Sequence, residues 1–253
     1  MELVVLGAGA AYPGPGQASS GYLIRDGATS LLLDCGNGIV PRLQEAGELE
    51  RLSAILFSHL HADHFLDIYP LFYSRLYGKR RYPPLPVFLP PGEASQMARV
   101  TEVLRVDTQK FGEAFHLQEF DPAAGMEYGG LRLSFQRNDH PVTTFGVRVE
   151  KDGAAFVYSS DTGPMPQLEQ FARGCDLLVI EASVGAADFD PKKAIHLTPG
   201  LAGEVAARAG AKRMLLTHMW PHYDRGEMLR EAQGTFPGAE LAEELKRYPV
   251  GAR

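Results

Sequence analysis

Cysteine is nearly absent from the 253-residue chain, where Cys35 and Cys175 are the only two. They form neither a paired framework nor a metal-ligand spacing. A disulfide-stapled domain and a thiolate-ligated zinc finger are therefore excluded, and both cysteines read as small core residues in a reducing compartment. A basic excess is missing as well. Lys plus Arg total 25 against 31 for Asp plus Glu, a net charge of −6 with neutral histidine, whereas nucleic-acid binders draw much of their affinity from neutralised phosphates. No apolar run reaches the roughly 20 residues that cross a bilayer. Met1-Glu2-Leu3-Val4-Val5-Leu6-Gly7 lacks the basic-then-apolar pattern of a secretion signal. The expected setting is cytoplasmic, with a small molecule rather than nucleic acid or membrane as partner.

What is present is an ordinary globular mixture, 45% hydrophobic and 22% charged with a single tryptophan, which leaves no room for a disordered, collagen-like or coiled-coil reading. A chain of this length buries about three quarters of its unfolded surface. A metal ion is then not needed as a staple, and any metal site is expected to be functional. Short runs rich in Val, Ile, Leu and Phe predict strands at Leu3 to Leu6, Gly21 to Arg25, Ser30 to Leu33, Ala54 to Phe57, Val87 to Leu89, Leu131 to Gln136, Phe145 to Val149, Ala154 to Tyr158, Leu177 to Ile180 and Met214 to Leu216. Helical periodicity predicts helices at Phe65 to Tyr77, Glu93 to Leu104, Met165 to Ala172, Thr198 to Ala209 and near the C-terminus. Thr198-Pro199 supplies a start signal and Gly210 a stop. Strand pairs followed by helices in both halves predict an α+β protein of two face-to-face sheets with helices outside. The Pro-rich stretches at residues 82–86 and 90–92 are too short for linkers, so residues 1–253 are expected to form one domain.

The most informative stretch is Ser58-His59-Leu60-His61-Ala62-Asp63-His64, directly after the apolar run Leu52 to Phe57. Residues two apart in an extended chain point the same way, so His59 and His61 can reach one ion together. Asp63 and His64 fall where a helix begins, and a turn there can aim them at a second ion. Imidazole nitrogen and carboxylate oxygen suit zinc, and also iron or manganese. The alternative is a polar loop, but three of only eight histidines lie within these six residues beside an aspartate. His140, Asp161 and His218 each follow the end of an apolar run, the position where ligands gather in α/β proteins. Taken singly, each could equally be a satisfied polar group at a strand end.

Other signals carry less. Gly7-Ala8-Gly9 invites a dinucleotide reading, but Tyr12 stands where the third glycine of G-x-G-x-x-G belongs. Lys79-Arg80-Arg81 with Tyr77 and Tyr82 could meet phosphates or simply be solvated charge. His116 and His222 have no place in a metal scheme, although His222 is close enough to His218 in sequence to line a pocket rim.

The string His59-x-His61-x-Asp63-His64, followed in order by His140, Asp161 and His218, resembles the metallo-β-lactamase-fold hydrolase superfamily. Leu6-Gly7-Ala8-Gly9 and Leu32-Leu33-Asp34-Cys35-Gly36 resemble that family's first-strand loop and buried aspartate motif. Ile180-Glu181-Ala182-Ser183 and His196-Leu197-Thr198 are most similar to its branch of tRNase Z and related phosphodiesterases. The resemblance implies an αββα sandwich, two packed mixed β-sheets flanked by helices, with two metal ions, zinc or alternatively manganese or iron. By position it implies His59, His61 and His140 at one ion, Asp63, His64 and His218 at the other, and Asp161 bridging them. It implies a metal-bridging hydroxide as nucleophile, with His196 and Glu181 as an extra catalytic pair that delivers a proton to the leaving oxygen, and it counts Asp63 among the catalytic residues.

The chain also departs from tRNase Z. Only 20 residues separate His140 from Asp161, almost all taken by two predicted strands, so the tRNA-gripping arm is missing. Ala11 to Gln17 holds no Lys or Arg. The expected substrate is a small phosphodiester, such as a cyclic nucleotide or cyclic phosphate. A carboxylic ester, lactone or thioester is the alternative, and a non-catalytic accessory protein or a tRNA 3′-processing endonuclease comes further behind. Tyr69 to Pro86 and Ser183 to Ile195 are expected to form the pocket lid. Relatives in that branch often dimerise, and the aromatic-rich Phe65 to Tyr77 offers either a homodimer contact or core.

Overall fold

A computed structural model describes residues 1–251. Among them lie fourteen strands in two seven-stranded sheets. The first sheet runs in the order β14 (Arg247–Pro249), β1 (Glu2–Gly7), β2 (Gly21–Asp26), β3 (Thr29–Leu33), β4 (Ala54–Leu56), β5 (Leu85–Leu89), β6 (Phe115–Glu119). The second runs β13 (Ala239–Leu241), β12 (Met214–Thr217), β11 (Leu177–Glu181), β10 (Ala154–Tyr158), β9 (Phe145–Lys151), β8 (Leu131–Arg137), β7 (Met126–Tyr128). The halves repeat one plan. β1, β2 and β3 pair antiparallel and β3 to β6 parallel; β8, β9 and β10 pair antiparallel and β10 to β13 parallel. No sequence repeat announced this, because the same strand plan can be built from different residues as long as each strand keeps an apolar pattern.

Period-two alternation builds the layers. Leu3 and Val5 of β1 enter the core between the sheets, whereas Val4 and Leu6 face helices. In β11, Leu177 and Val179 point inward while Leu178 and Ile180 meet the opposite helical layer. Both faces are covered, which is why these strands read as continuous apolar runs. Helices α1 (Ile39–Glu45), α2 (Ala62–Phe65), α3 (Ile68–Tyr77), α4 (Glu93–Val103) and α5 (Thr108–Ala114) lie on the first sheet's side. Helices α6 (Pro166–Phe171), α7 (Pro199–Ala209) and α8 (Arg225–Thr235) cover the second. This is the expected two-sheet sandwich. Cys35 and Cys175 are buried free thiols within it. No helix of the described residues is long and apolar enough to cross a membrane.

All ten expected strands form, and the four that the pattern missed, β6, β7, β13 and β14, are the four sheet edges. An edge strand is short and half exposed, so it carries little of the apolar signal that identifies its neighbours. Two helices were missed for local reasons. α1 contains Pro41, tolerated because the first helical turn needs no partner for that N–H, and α5 contains Gly112. The helix expected from Phe65 to Tyr77 is divided into α2 and α3 near Asp67, whose carboxylate accepts the Val40 amide at 2.9 Å.

The C-terminal ends of β3, β4, β8, β10, β11 and β12 all reach one edge of the sandwich. The segment at residues 78–84 enters the N-terminal end of β5, which is parallel to β4, and so lies at the opposite edge. This corrects the lid expected from Tyr69 to Pro86. Within it, Tyr69, Leu71 and Phe72 are core, while Tyr73 and Tyr77 are exposed.

Candidate metal centre

Six of the eight histidines gather at that edge. His59 and His61 leave β4 in extended chain, and Asp63 and His64 sit on the single turn of α2. His140 follows β8, Asp161 follows β10, and His218 follows β12. Potential ligand atoms of His59, His61, His140 and Asp161 lie within 4.8 Å of one another, and so do those of Asp63, His64 and His218. The fold thus brings together the residues of the two sets that the family resemblance implied. Asp161 stands between them. Its Oδ2 faces His59 Nε2 at 3.8 Å and His140 Nε2 at 4.0 Å, while its Oδ1 faces His64 Nε2 at 3.4 Å and His218 Nε2 at 3.5 Å.

The hydrogen bonds behind the rings fix which nitrogen faces inward as a lone pair. His64 donates Nδ1–H to Asp34 Oδ2 at 2.8 Å. His218 donates Nδ1–H to Ser183 Oγ at 2.7 Å, because that hydroxyl spends its own proton on Glu181 Oε2. The Nε2 atoms of His64 and His218 then face each other only 3.2 Å apart, beside the carboxylates of Asp63 and Asp161. His140 likewise donates Nδ1–H to the Ile195 carbonyl at 3.3 Å and turns Nε2 toward His61 Nδ1 at 3.2 Å. His59 donates to Ser58 Oγ, and its Nε2 is buried without a hydrogen-bond partner, as is Asp161 Oδ1. Lone pairs converging without donors are costly in a buried site unless a cation lies between them. The donor set is nitrogen and oxygen only, and it fits zinc, iron or manganese.

Charge balance points the same way. Burial holds His59, His61 and His140 below the ordinary imidazole range, the neutral state a ligand needs. Burial also opposes charge on His64, yet Asp161, Asp63 and Asp34 outweigh it and lift that ring well above its ordinary value. Burial would raise Asp161, but His218 and His64 hold it well below the usual carboxylate range. These carboxylates demand positive charge among them, whether proton or metal.

Asp34 organises the first sheet's contribution. Its Oδ1 accepts Ser58 N–H at 2.7 Å, and its Oδ2 accepts Ser58 Oγ–H at 2.8 Å, His64 Nδ1–H at 2.8 Å and Tyr158 O–H at 2.9 Å. Burial, reinforced by Asp34, pushes the Tyr158 phenol well above its ordinary value and keeps it a donor. Asn138 ties two ligand-bearing ends together, donating Nδ2–H to the Ser159 carbonyl at 2.7 Å and the Asp161 carbonyl at 2.9 Å. Asp34, Ser160 and His218 hold φ values of 59°, 53° and 56°. Such left-handed backbone costs a non-glycine residue about 1–3 kcal/mol and persists where surrounding contacts enforce it. Gly36 permits a close approach, since a Cβ there would lie 1.9 Å from the Asp63 carbonyl oxygen. Sequence reasoning gave no role to Ser58, Asn138, Tyr158 or Ser183. Their only signal was a polar residue at the end of an apolar run, within a few positions of a histidine or acid.

His196 stands apart from both groups, on the connection between β11 and α7. Its Nδ1 lies 2.9 Å from Glu181 Oε1, and it offers a ring nitrogen within 4.8 Å of ligand atoms of Asp161 and His218. Glu181 is fully buried and also accepts Thr162 N–H at 2.7 Å and Ser183 Oγ–H at 2.7 Å. Burial disfavours charge on His196, but the Glu181 carboxylate and its hydrogen bond overcome this and raise the imidazole to about 9. The segment Ser183 to Ile195 reaches the site at both ends, through Ser183 to His218 and through Ile195 to His140. His116 is exposed on β6, and His222 lies at the rim, where its Nδ1 meets Tyr12 Oη at 3.2 Å.

Comparison with known proteins agrees with this geometry. Residues 29–219 match the beta-lactamase superfamily domain. The chain is 31% identical over 242 residues to the probable metallo-hydrolase YhfI of Bacillus subtilis, covering 94% of this chain and 95% of that protein. It is also 31% identical over 285 residues to ribonuclease Z of Mycobacterium bovis, covering 100% and 99%. The crystal structure of the metallo-beta-lactamase fold protein YhfI superposes with a TM-score of 0.88 at 28% identity, over 99% of this chain and 98% of that one. The short form of human tRNase Z shares the fold, with a TM-score of 0.79 at 24% identity and full coverage of both chains.

Proposed function

Because the chain belongs to the beta-lactamase superfamily, as a metallo-hydrolase whose His and Asp groups are able to hold metal ions, we propose that it is a dinuclear zinc phosphodiesterase acting on a small phosphodiester. The first ion would be held by His59, His61 and His140, the second by Asp63, His64 and His218, with Asp161 shared. Manganese or iron would fit the same donors. The chemistry supplied when two dications are bound there is Lewis acidity toward a phosphoryl oxygen and hydroxide at neutral pH.

The observation that carries the reading is the His196 and Glu181 pair beside this cluster. Glu181 accepts Nδ1–H and fixes the ring, leaving Nε2–H to protonate a departing oxygen. A thiolate leaves without such help because its conjugate acid has a pKa of about 8.5, whereas an alkoxide leaving phosphorus needs the proton. Asp63 would serve as a ligand, and its Oδ2 lies 3.1 Å from His218 Nε2, so the two atoms face the same position. The substrate is taken as small because β9 and β10 fill the connection between His140 and Asp161, leaving no protruding arm, and because Ala11 to Gln17 carries no cation to meet a polynucleotide.

The test is turnover of bis-p-nitrophenyl phosphate against panels of lactones, carboxylic esters and thioesters by the zinc-loaded protein. Diester cleavage is expected to dominate. Carbonyl turnover with no diester cleavage would replace this reading by an esterase or lactonase.

A further inference from the structure

Beside the metal centre, three loops meet in a wall of aromatic rings that the chemistry above does not use. The Tyr12 ring lies 5.1 Å from that of Trp220, Trp220 lies 6.0 Å from His222, and His222 lies 4.3 Å from Tyr223. Backbone pairing sets the wall next to the site. Gly9 bridges to Met219, and the Ala10 amide donates to the Met219 carbonyl at 3.3 Å, so the loops bearing Tyr12 and Trp220 leave the sandwich side by side, directly after His218. The third loop, which carries Ser183 and His196, backs the wall. Tyr223 donates O–H to Asp188 at 2.8 Å, and its ring lies against Gly185, where a Cβ would approach it to 2.9 Å.

These rings are not core. Tyr12 is 50% exposed and His222 is exposed, although a Tyr12 Oη to His222 Nδ1 contact at 3.2 Å holds them in place. Neither residues 11–17 nor residues 219–224 contain Lys or Arg. The two segments that carry the rings thus present fixed π-faces without cations of their own, which grip rings better than a phosphate backbone. We propose that Tyr12, Trp220 and His222 form a stacking subsite for a planar heteroaromatic ring on one arm of the substrate, which makes the substrate class a nucleoside-type phosphodiester of mononucleotide size. As a statement about substrate this rests on the phosphodiesterase reading; as a statement about ring binding it does not.

Trp220 is the only tryptophan, so its emission reports on the subsite directly. Adenosine 5′-monophosphate titrated into the zinc-loaded protein is expected to change that emission saturably, with ribose 5-phosphate at least about tenfold weaker, and Tyr12→Ala is expected to weaken the nucleotide response about tenfold. Equal responses to the two ligands, or an unaltered response in Tyr12→Ala, would overturn the subsite. The kinetic arm compares thymidine 5′-p-nitrophenyl phosphate with methyl p-nitrophenyl phosphate, which share a leaving group. The wild type should favour the nucleoside ester, and Trp220→Ala should lower the ratio of the two kcat/KM values about tenfold, chiefly through KM. Cleavage of both diesters with no preference and no fluorescence response removes the subsite and leaves the phosphodiesterase. A nucleotide response without cleavage of either diester removes the phosphodiesterase and leaves the subsite.

Discussion

Two buried carboxylates at the same edge of the sandwich, Asp34 and Glu181, have nearly identical surroundings and opposite consequences. Each is fully buried, each accepts several N–H and O–H donors, and each uses a serine to reach a histidine: Ser58 for His59, Ser183 for His218. Asp34 also takes the Nδ1–H of His64, and Glu181 that of His196. The His64 ring is 0% exposed and its Nε2 faces Asp161 and His218, whereas the His196 ring is 17% exposed and belongs to neither full ligand group. The same carboxylate–imidazole bond therefore orients an enclosed ring among the candidate ligands at His64 and, at His196, a partly exposed ring for which we propose the role of proton donor. Under the proposed roles, what the ring faces distinguishes the two, not what stands behind it.

The strongest way to break this comparison is at His196. His196→Ala is expected to lower kcat toward a diester with an alkoxide leaving group by about 10²–10⁴-fold while metal content, read by elemental analysis, stays at the wild-type level. Loss of metal would make His196 a ligand and erase the distinction. At the other carboxylate, Asp34→Asn should leave His64 poorly oriented and weaken metal affinity about 10–100-fold, measured by competition with a chelator. A variant that kept full affinity but lost turnover would give Asp34 the role assigned to Glu181. The smallest effect sharpens the contrast through pH. With His196 as the proposed acid, turnover should fall as pH rises through its pKa, which lies at about 9 without metal and lower beside bound cations. In Glu181→Gln the imidazolium loses its carboxylate, and this alkaline limb should move to lower pH in the kcat profile, by about one unit for each 1.4 kcal/mol of lost interaction. An unmoved limb would assign the titration to another group.

The sequence carried much of this arrangement because each half of the site is announced locally. His59, His61, Asp63 and His64 lie within six residues, and extended chain followed by one helical turn is enough to divide them between two groups of candidate ligands. Glu181 was legible as an acid closing an apolar strand. Ser58, Ser183, Asn138 and Tyr158 were not assigned a role, since a hydroxyl or amide at a strand end becomes an orienting group only when another strand brings its partner within 3 Å. Tyr158 O–H meets Asp34 across 124 positions of sequence, and no local pattern encodes that contact. The edge strands escaped for a different reason: with one side unpaired, they need little apolar alternation to form.

By itself the sequence determined the inner strands, the sandwich and the kinds of candidate ligand, because side-chain periodicity and donor chemistry are properties of short segments, while the division of those candidates into two sets came from the family resemblance. Only the tertiary structure decided which imidazole nitrogen faces inward, that Asp161 lies between the two sets, that His196 stands beside them with Glu181 behind it, that residues 78–84 lie far from the site, and that Tyr12 joins Trp220 at its rim. Those outcomes depend on which strand ends meet when two sheets close on a common core, and the free energy that sets them is burial spread over the whole sandwich and not contained in any one segment.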